Sequence, residues 1–390
     1  MVGQSKVGAW VKSASMRDTR QPTVWCNKLT FSMTMDLSQY SFPLVDALPR
    51  RAQVVSTDPA LPIFERVQIG QVAREPLQSG QVRIGMLAMT INPADLLQVD
   101  GRYGVKPPVP YLPGHEGVAV VLEVAPDVRD LVVGDHVLPM APGGCWVDER
   151  VVSRRFLVSI PVNADVLQCA MLTANPATAW ILLRHMRKLE SGDWVIQNAA
   201  NSAVGQSVRQ LAKCLGLRIV NIVRRTDAVG QPDTSESVWV VDADLSGPAL
   251  RGKVLQATGG EMARLALDAV GGQSSNGLAH CLADSSLLVV YGLLSGRPCE
   301  VPAHDLVFRD LRVQGFWLAT WFANAENRGL TRSLYPELVA MVQARTLKME
   351  IEAVYPLEKV HEALAHAGRS GRSGKVLLKG AWMDRVIARA

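Results

Sequence analysis

Residues 195–216, VIQNAANSAVGQSVRQLAKCLG, run from an apolar strand through a turn of small residues into an amphipathic helix. No other stretch constrains the fold as much. The helix carries Val204, Val208, Leu211, Ala212 and Leu215 at i, i+4, i+7, i+8 and i+11, a single apolar stripe that must pack on a sheet. Gly216 follows in the C′ position, where a helix ends at least cost. The segments LRIVNIV, SVWVVDAD, LALDAV, SLLVVYGL and LRVQGFWL then alternate with helical stretches. Such alternation predicts a doubly wound parallel sheet.

The turn after the first strand of such a sheet binds a dinucleotide when it reads G-x-G-x-x-G. In that register Ala200 and Ser202 replace the first two glycines, and Gly205 alone remains. Backbone N–H groups at a helix start still receive a pyrophosphate if the side chains stay small, as Ala200, Ser202 and Ala203 are. The spacing therefore favours a cofactor loop over a purely structural turn. About twenty residues on, where an NAD-binding fold places an acid on the ribose, this chain has Arg224 and Arg225. Guanidinium groups suit a 2′-phosphate and favour NADPH over NADH, the alternative being a solvated arginine pair.

From about 50 to 165 short β-rich runs, VRIGMLAMTINPADLL, GVAVVLEVA and GDHVLPM, are broken by Gly- and Pro-rich turns. They predict a partly open, barrel-like β domain. The tail VYPLEKVHEALAHAGRSGRSGKVLLKG reads as a helix followed by a strand returning to that domain. With 390 residues, two domains are expected. The net charge of +5 comes without a dense Lys/Arg run, which argues against nucleic acid as the main partner. The longest apolar run, LLVVYGLL, is too short to span a bilayer. The six cysteines are scattered and form no C-x-x-C pair, which points to a reducing compartment. Residues 1–45 are Lys/Arg- and Ser/Thr-rich with few acids; they read as a disordered leader, a start assigned upstream of Met33 or Met35, or a transit peptide.

The segments INPADLLQVDGRYGVKPPVPYLPGHEGVAVV, LTANPATAW, VIQNAANSAVGQSVRQLA, VRRT, LDAVGGQSS, YGLLSG and LRVQGFWLATW occur in the order found in zinc-free medium-chain dehydrogenase/reductases. Over residues 50–380 the chain most resembles the mitochondrial-type trans-2-enoyl-CoA/ACP reductases. The resemblance implies an α/β fold: a GroES-like, partly open β-barrel catalytic domain plus a Rossmann doubly wound parallel-sheet cofactor domain. Beyond the leader at 1–45, it implies the first part of the GroES-like catalytic domain at 46–165, an NADPH-binding domain at 166–320 and a return to the catalytic domain at 321–390. It makes Tyr103 the catalytic tyrosine and Asn175 a contact of the nicotinamide half. Asn201, Ser202, Ala203, Val204 and Gly205 become the pyrophosphate loop. Arg224, Arg225 and Thr226 become the 2′-phosphate pocket, with Arg225 departing from the acid frequent there. Tyr291, Gly292, Leu293, Leu294, Phe316, Trp317, Leu318 and Lys375 become the remaining cofactor contacts.

Zinc alcohol dehydrogenases also resemble the chain around GHEG, yet Asn92 and Asn175 or Pro176 stand where that family has cysteine ligands, and its four-cysteine lobe is missing. His115 and Glu116 are thus expected to be hydrogen-bonded turn residues. Without a metal, hydride transfer needs an acceptor polarised by its own conjugation, such as an α,β-unsaturated thioester. A neutral phenol, Tyr103, would donate to it. On spacing alone Tyr103 reads equally well as a turn residue. Phe316, Trp317, Leu318 and Trp321 read as acyl pocket or as core, and Arg369 and Arg372 as carrier-phosphate contacts or as solvated loop. The expected activity is NADPH-dependent reduction of trans-2-enoyl thioesters carried on CoA or acyl carrier protein. A zinc-free quinone or alkenal reductase and a non-catalytic NADPH-binding protein are the alternatives. A homodimer, no membrane partner, and a cytoplasmic location complete the expectation, the mitochondrial matrix applying if the leader is a transit peptide.

Overall fold

The computed structural model describes residues 47–141, 143–225, 237–241 and 247–387. The leader at 1–45 and Thr226 lie outside the described residues. An antiparallel pair, β1 (Arg50–Val54) and β2 (Val67–Gln71), opens the chain. A seven-stranded sheet follows, begun by β3 (Gln81–Thr90), β4 (Gly117–Val124), β5 (His136–Pro139), β6 (Glu149–Ser153) and β7 (Leu157–Ile160). After Gln81 every residue of β3 is buried, because the strand has neighbours along both edges and a covered face on each side.

The run VRIGMLAMTINPADLL does not continue as strand. Asn92 stops it, and Pro93–Val99 is a helix whose first turn closes when the Asp95 carboxylate accepts the Asn92 backbone N–H at 2.7 Å. That break carries the chain out of the barrel at the residue which proves central to the site.

The parallel sheet contains β8 (Trp194–Gln197), β9 (Arg218–Val223), β10 (Ser237–Val241), β11 (Ala263–Asp268), β12 (Leu282–Val290) and β13 (Arg312–Gly315). Their spatial order is β10-β9-β8-β11-β12-β13, the doubly wound order. The predicted stripe is real: Val208, Leu211 and Ala212 of the helix Ala203–Cys214 are buried, and Gly216 takes φ 66° just beyond its end. Finally β14 (Ile351–Pro356) and β15 (Lys375–Lys379) join the first sheet, β15 pairing antiparallel with β3.

The helix Asn175–His185 is buried from Asn175 to Leu183. One apolar cluster contains its Ile181 and Leu182, Leu87 and Val118 of the barrel sheet, and Val195, Leu265 and Val289 of the parallel sheet. The two sheets share a core, so the cleft between their edges has firm walls.

Candidate active site

The strand order reverses between β8 and β11, and ligands of open α/β sheets bind beyond the carboxyl ends of the strands there. Two buried side chains hold that point open. Asn198 donates to Asp268 Oδ1 at 2.6 Å and to Ser274 Oγ at 2.7 Å, and accepts the Ala269 N–H at 2.8 Å. Asp268 in turn accepts the N–H groups of Val270 and Gly271 at 2.8 and 2.9 Å. The turn after β8 bends at Ala199, with φ 47°, one residue before the first glycine of the usual register. Ser202 caps the helix by accepting the Gly205 N–H at 3.1 Å, while the amides of Ala203 and Val204 have no partner among the described residues. A Cβ on Gly205 would lie 2.7 Å from the carbonyl oxygens of Ala199 and Ala200, so only glycine fits.

Around this turn stand an exposed Asn201, a buried Tyr291 phenol facing Ser202 without a hydrogen bond of ordinary geometry, and the exposed Leu293 and Leu294. Burial pushes the Tyr291 phenol far up. Gly292 packs on Ala269, where a Cβ would come within 2.5 Å of the Ala269 oxygen. Free amides at a helix start, small side chains and an orphaned hydroxyl fit a dinucleotide pyrophosphate. At the end of β9, Arg224 and Arg225 are exposed. Arg225 reaches the segment before β15: its Nη1 lies 3.1 Å from where a Cβ on Gly371 would be.

The barrel side of the cleft is different in kind. Glu116 is fully buried, and its carboxylate accepts five hydrogen bonds. Thr90 Oγ1, Asn92 Nδ2 and Asn175 Nδ2 reach Oε1 at 2.9, 2.8 and 3.3 Å; Thr173 Oγ1 and the Ala174 N–H reach Oε2 at 3.2 and 2.8 Å. Asn175 Nδ2 also donates to Asn92 Oδ1 at 3.0 Å. The buried Lys375 ammonium donates to that same Asn92 oxygen and to the Ile91 carbonyl at 3.1 Å. Burial pulls Lys375 down to about 8, Glu116 and Asp95 pull it back up, and Arg372 pulls down again. Asn92 stands where the zinc enzymes have a cysteine, and a cation, the lysine's own, already occupies its oxygen. Among the described residues no three His, Cys, Asp or Glu side chains converge on a metal position.

Between these halves lies Tyr103. The Trp317 indole N–H donates to its Oη at 2.8 Å, with the rings perpendicular and 5.7 Å apart. His115 stacks edge-on to Tyr103 at 5.3 Å, and its Nδ1 lies 2.5 Å from Asp95 Oδ1. Burial pulls the His115 imidazole down, but the charge and hydrogen bond of Asp95, with Glu116 behind, hold it above its ordinary value. Burial raises the Tyr103 phenol, the Trp317 bond opposes this, and Asp95 adds to the rise. Its oxygen accepts from within the protein, so its proton is free to be donated.

The structure therefore brings Tyr103 and Trp317 together, and Asn175 with Lys375, while separating two aromatics that the sequence grouped with Trp317. Phe316 is core, and Trp321 packs on His185 and Phe322. Leu318 begins the following helix and packs against the core. Arg372 donates to the Arg369 and Gly374 carbonyls. Sequence reasoning missed Thr90, Thr173, Asn198 and Asp268. A polar residue at or just beyond the end of a largely apolar strand, as Thr90, Asp268 and Asn198 are, is the signal that was available.

Two family models match: the alcohol dehydrogenase GroES-like domain over residues 78–161 and the zinc-binding dehydrogenase over 203–335. The human mitochondrial enoyl-[acyl-carrier-protein] reductase is 37% identical over 261 residues, 65% of this chain and 69% of that one. The Dictyostelium discoideum protein of the same name is 33% identical over 313 residues, 78% and 87%. Among solved structures, an NADPH:quinone reductase from Bacillus thuringiensis, so assigned provisionally, superposes with TM-score 0.75 at 27% identity, over 86% of this chain and 99% of that one. The Etr1p/NADP/crotonyl-CoA complex superposes with TM-score 0.72 at 25% identity, over 85% and 100%.

Proposed function

Because the chain belongs to the enoyl-[acyl-carrier-protein] reductase family of the medium-chain dehydrogenase/reductases, we propose that it reduces the C2=C3 bond of trans-2-enoyl thioesters with NADPH. The observation that carries the chemistry is the Trp317–Tyr103 hydrogen bond. By accepting from the indole, the phenol oxygen is fixed at the cleft with its O–H directed elsewhere. Burial keeps it protonated at neutral pH, so Tyr103 holds a proton for the α carbon or for the thioester oxygen.

NADPH supplies the hydride, which enters at the β carbon. Ala203 and Val204 amides and Ser202 would hold its pyrophosphate, Arg224 and Arg225 its 2′-phosphate, and Asn175 its nicotinamide half. The Glu116 cluster positions Asn175 and takes the place of a metal, so turnover is independent of zinc: chelators leave it intact, and loss restored by zinc overturns this reading. Oxidation of NADPH by crotonyl-CoA but not by a simple quinone supports the reductase. The reverse order of rates favours the quinone reductase reading that the Bacillus likeness suggests. Cofactor binding with neither turnover leaves a non-catalytic binder.

A second copy of the chain is the partner we favour. β13 ends the parallel sheet with all four residues exposed, beside Leu306, Val307 and Phe308, exposed by 40, 69 and 76%. Light scattering of the wild type and of Phe308→Asp tests it: dimer and monomer are expected. Among the described residues no helix is long and apolar enough to cross a membrane. The relatives' names carry the word mitochondrial, which favours the matrix over the cytoplasm for this chain; imaging of the tagged full chain decides.

A further inference from the structure

Between the helix Thr331–Gln343 and β14 the chain passes through Lys348, Met349 and Glu350, which belong to no helix or strand. Three glutamines answer their backbone groups instead. Gln210 accepts the Lys348 N–H and donates to the Lys348 carbonyl, both at 2.8 Å. Gln168 does the same for Met349, at 2.8 and 3.0 Å. Gln206 accepts the Glu350 N–H at 3.2 Å. A carboxamide has a donor edge and an acceptor edge, so each can stand in for a neighbouring strand at one residue.

Gln206 differs from the other two in where its own N–H goes. Its Nε2 donates to the Asn201 carbonyl at 3.0 Å rather than back to the segment. The other end of that peptide, the Ser202 N–H, donates to the Ala199 carbonyl at 2.8 Å. The planar 201–202 peptide is therefore held at both ends, and with it the direction in which the Ala203 and Val204 amides follow. Asn201 is exposed while Gln206 is buried, so the loop meets solvent but its tether does not. On the far side the Glu350 carbonyl accepts the Lys375 backbone N–H at 2.8 Å. The Lys375 ammonium donates to Asn92 Oδ1, which Asn175 Nδ2 also reaches at 3.0 Å. Glu350 thus stands between the turn at Asn201 and the cluster that mounts Asn175.

We propose that Gln206 is a positioning residue for the cofactor: by spanning from the 201–202 peptide to Glu350, it sets the loop amides of the parallel sheet against the barrel-side mount of Asn175. The inference rests on the reading of residues 201–205 as the pyrophosphate loop and deepens it by assigning what orients that loop. Ser202 shapes the loop from within. Gln206 ties it to a reference outside. A dinucleotide engages both walls of a cleft at once, and it binds best where their separation is fixed before it arrives.

Gln210 is the internal control. It lies one turn further along the same helix and makes two bonds to the same segment, but among the described residues none to the loop. Fluorescence titration of Gln206→Met and Gln206→Ala should show the Kd of NADPH and that of NADH raised by a common factor of about three to ten, the loss of one or two neutral hydrogen bonds. The pyrophosphate is common to both cofactors, hence the common factor. In turnover of crotonyl-CoA the loss should fall on the KM for NADPH rather than on kcat. Gln210→Met loosens the segment equally and should leave both Kd values within about twofold. Equal weakening in the Gln206 and Gln210 variants makes the segment a scaffold only, and overturns the proposal. Weakening toward NADPH alone, which would belong to the 2′-phosphate, or unchanged Kd values in the Gln206 variants, overturns it too. So does failure of both Gln206 variants to fold beside a folded Gln210→Met, which assigns Gln206 to the fold alone. A wild-type chain that binds neither cofactor overturns the pyrophosphate-loop reading itself, an outcome distinct from the others.

Discussion

At the end of β3 the Glu116 carboxylate is answered by five donors inside the protein, whereas at the end of β9 Arg224 and Arg225 are exposed. Both regions are charged and both border the cleft. In the buried one a carboxylate, two carboxamides and an ammonium answer one another, and what it offers a ligand is a rigid mount for Asn175. The exposed one is open, and what it offers is charge. A buried polar cluster is costly unless fully satisfied, so any single change there should act on the whole fold. A change at Arg224 should act on the ligand alone.

Tyr103 belongs to neither: it accepts from Trp317 and keeps its proton for a substrate. Removing that hydroxyl should give the largest effect. Tyr103→Phe keeps the ring, and kcat should fall by about 10²–10⁴-fold, the ordinary worth of general acid catalysis. NADPH affinity should change by less than about threefold, under 1 kcal/mol. A variant with near-normal kcat on every enoyl thioester makes Tyr103 a turn residue.

Next comes the closed cluster. Glu116→Gln preserves volume but places an amide against a set of donors, and removes the larger of the two carboxylate charges that favour the Lys375 ammonium, leaving Asp95. Stability should fall by about 3–5 kcal/mol in denaturant unfolding, as for a broken buried pair. The double variant Glu116→Gln/Lys375→Met should lose less than the sum of the single changes. Additive losses would show that the two charges do not depend on each other.

Lys375 itself gives the cluster a pH signature. Its folded value, about 8, lies below its ordinary 10.5, so between these values the unfolded chain holds more protons. Stability contributed by Lys375 therefore rises as pH climbs from about 8 to about 10.5, by about 3 kcal/mol in all. Other titrating groups are common to the wild type and Lys375→Met, so the difference between their unfolding curves isolates this group. Parallel curves from pH 7 to 10 would mean that the ammonium is solvated.

What the sequence disclosed follows the same division. The parallel sheet was legible because its signals are local: an apolar stripe at 3.6-residue spacing, a glycine just after it, strands at regular intervals. Arg224 and Arg225 were legible because they sit at a fixed distance along one βαβ unit. The Glu116 cluster was not, since its members come from four separate places in the chain and each looks ordinary alone. Asn92 and Lys375 are 283 residues apart. The helix at Pro93–Val99 was hidden in an apolar run because its start is set by a single side chain–backbone bond at Asn92. The aromatic group divided because Phe316, just after β13, is buried in the core, and the chain then turns to bring Trp317 over Tyr103. Spacing of one residue cannot reveal that.

The smallest effect belongs to the open region, and it is the most selective. Arg224→Ala removes an exposed guanidinium, so neither packing nor the closed cluster should notice, and thermal stability should stay within about 0.5 kcal/mol. If Arg224 holds the 2′-phosphate, NADPH binding should weaken by about 1.5–3 kcal/mol, the loss of one charge-assisted contact. NADH lacks that phosphate and should bind as before, so the quantity to measure is the ratio of the two dissociation constants by fluorescence titration. Arg225 is the poorer choice for this experiment, because its guanidinium also packs against the Gly371 turn and its removal would disturb the segment leading to Lys375. A ratio that falls about tenfold or more in Arg224→Ala, with stability unmoved, separates the open region from the closed one. Equal weakening toward both cofactors would mean that Arg224 supports the shape of the loop, and the two regions would then differ in exposure but not in kind.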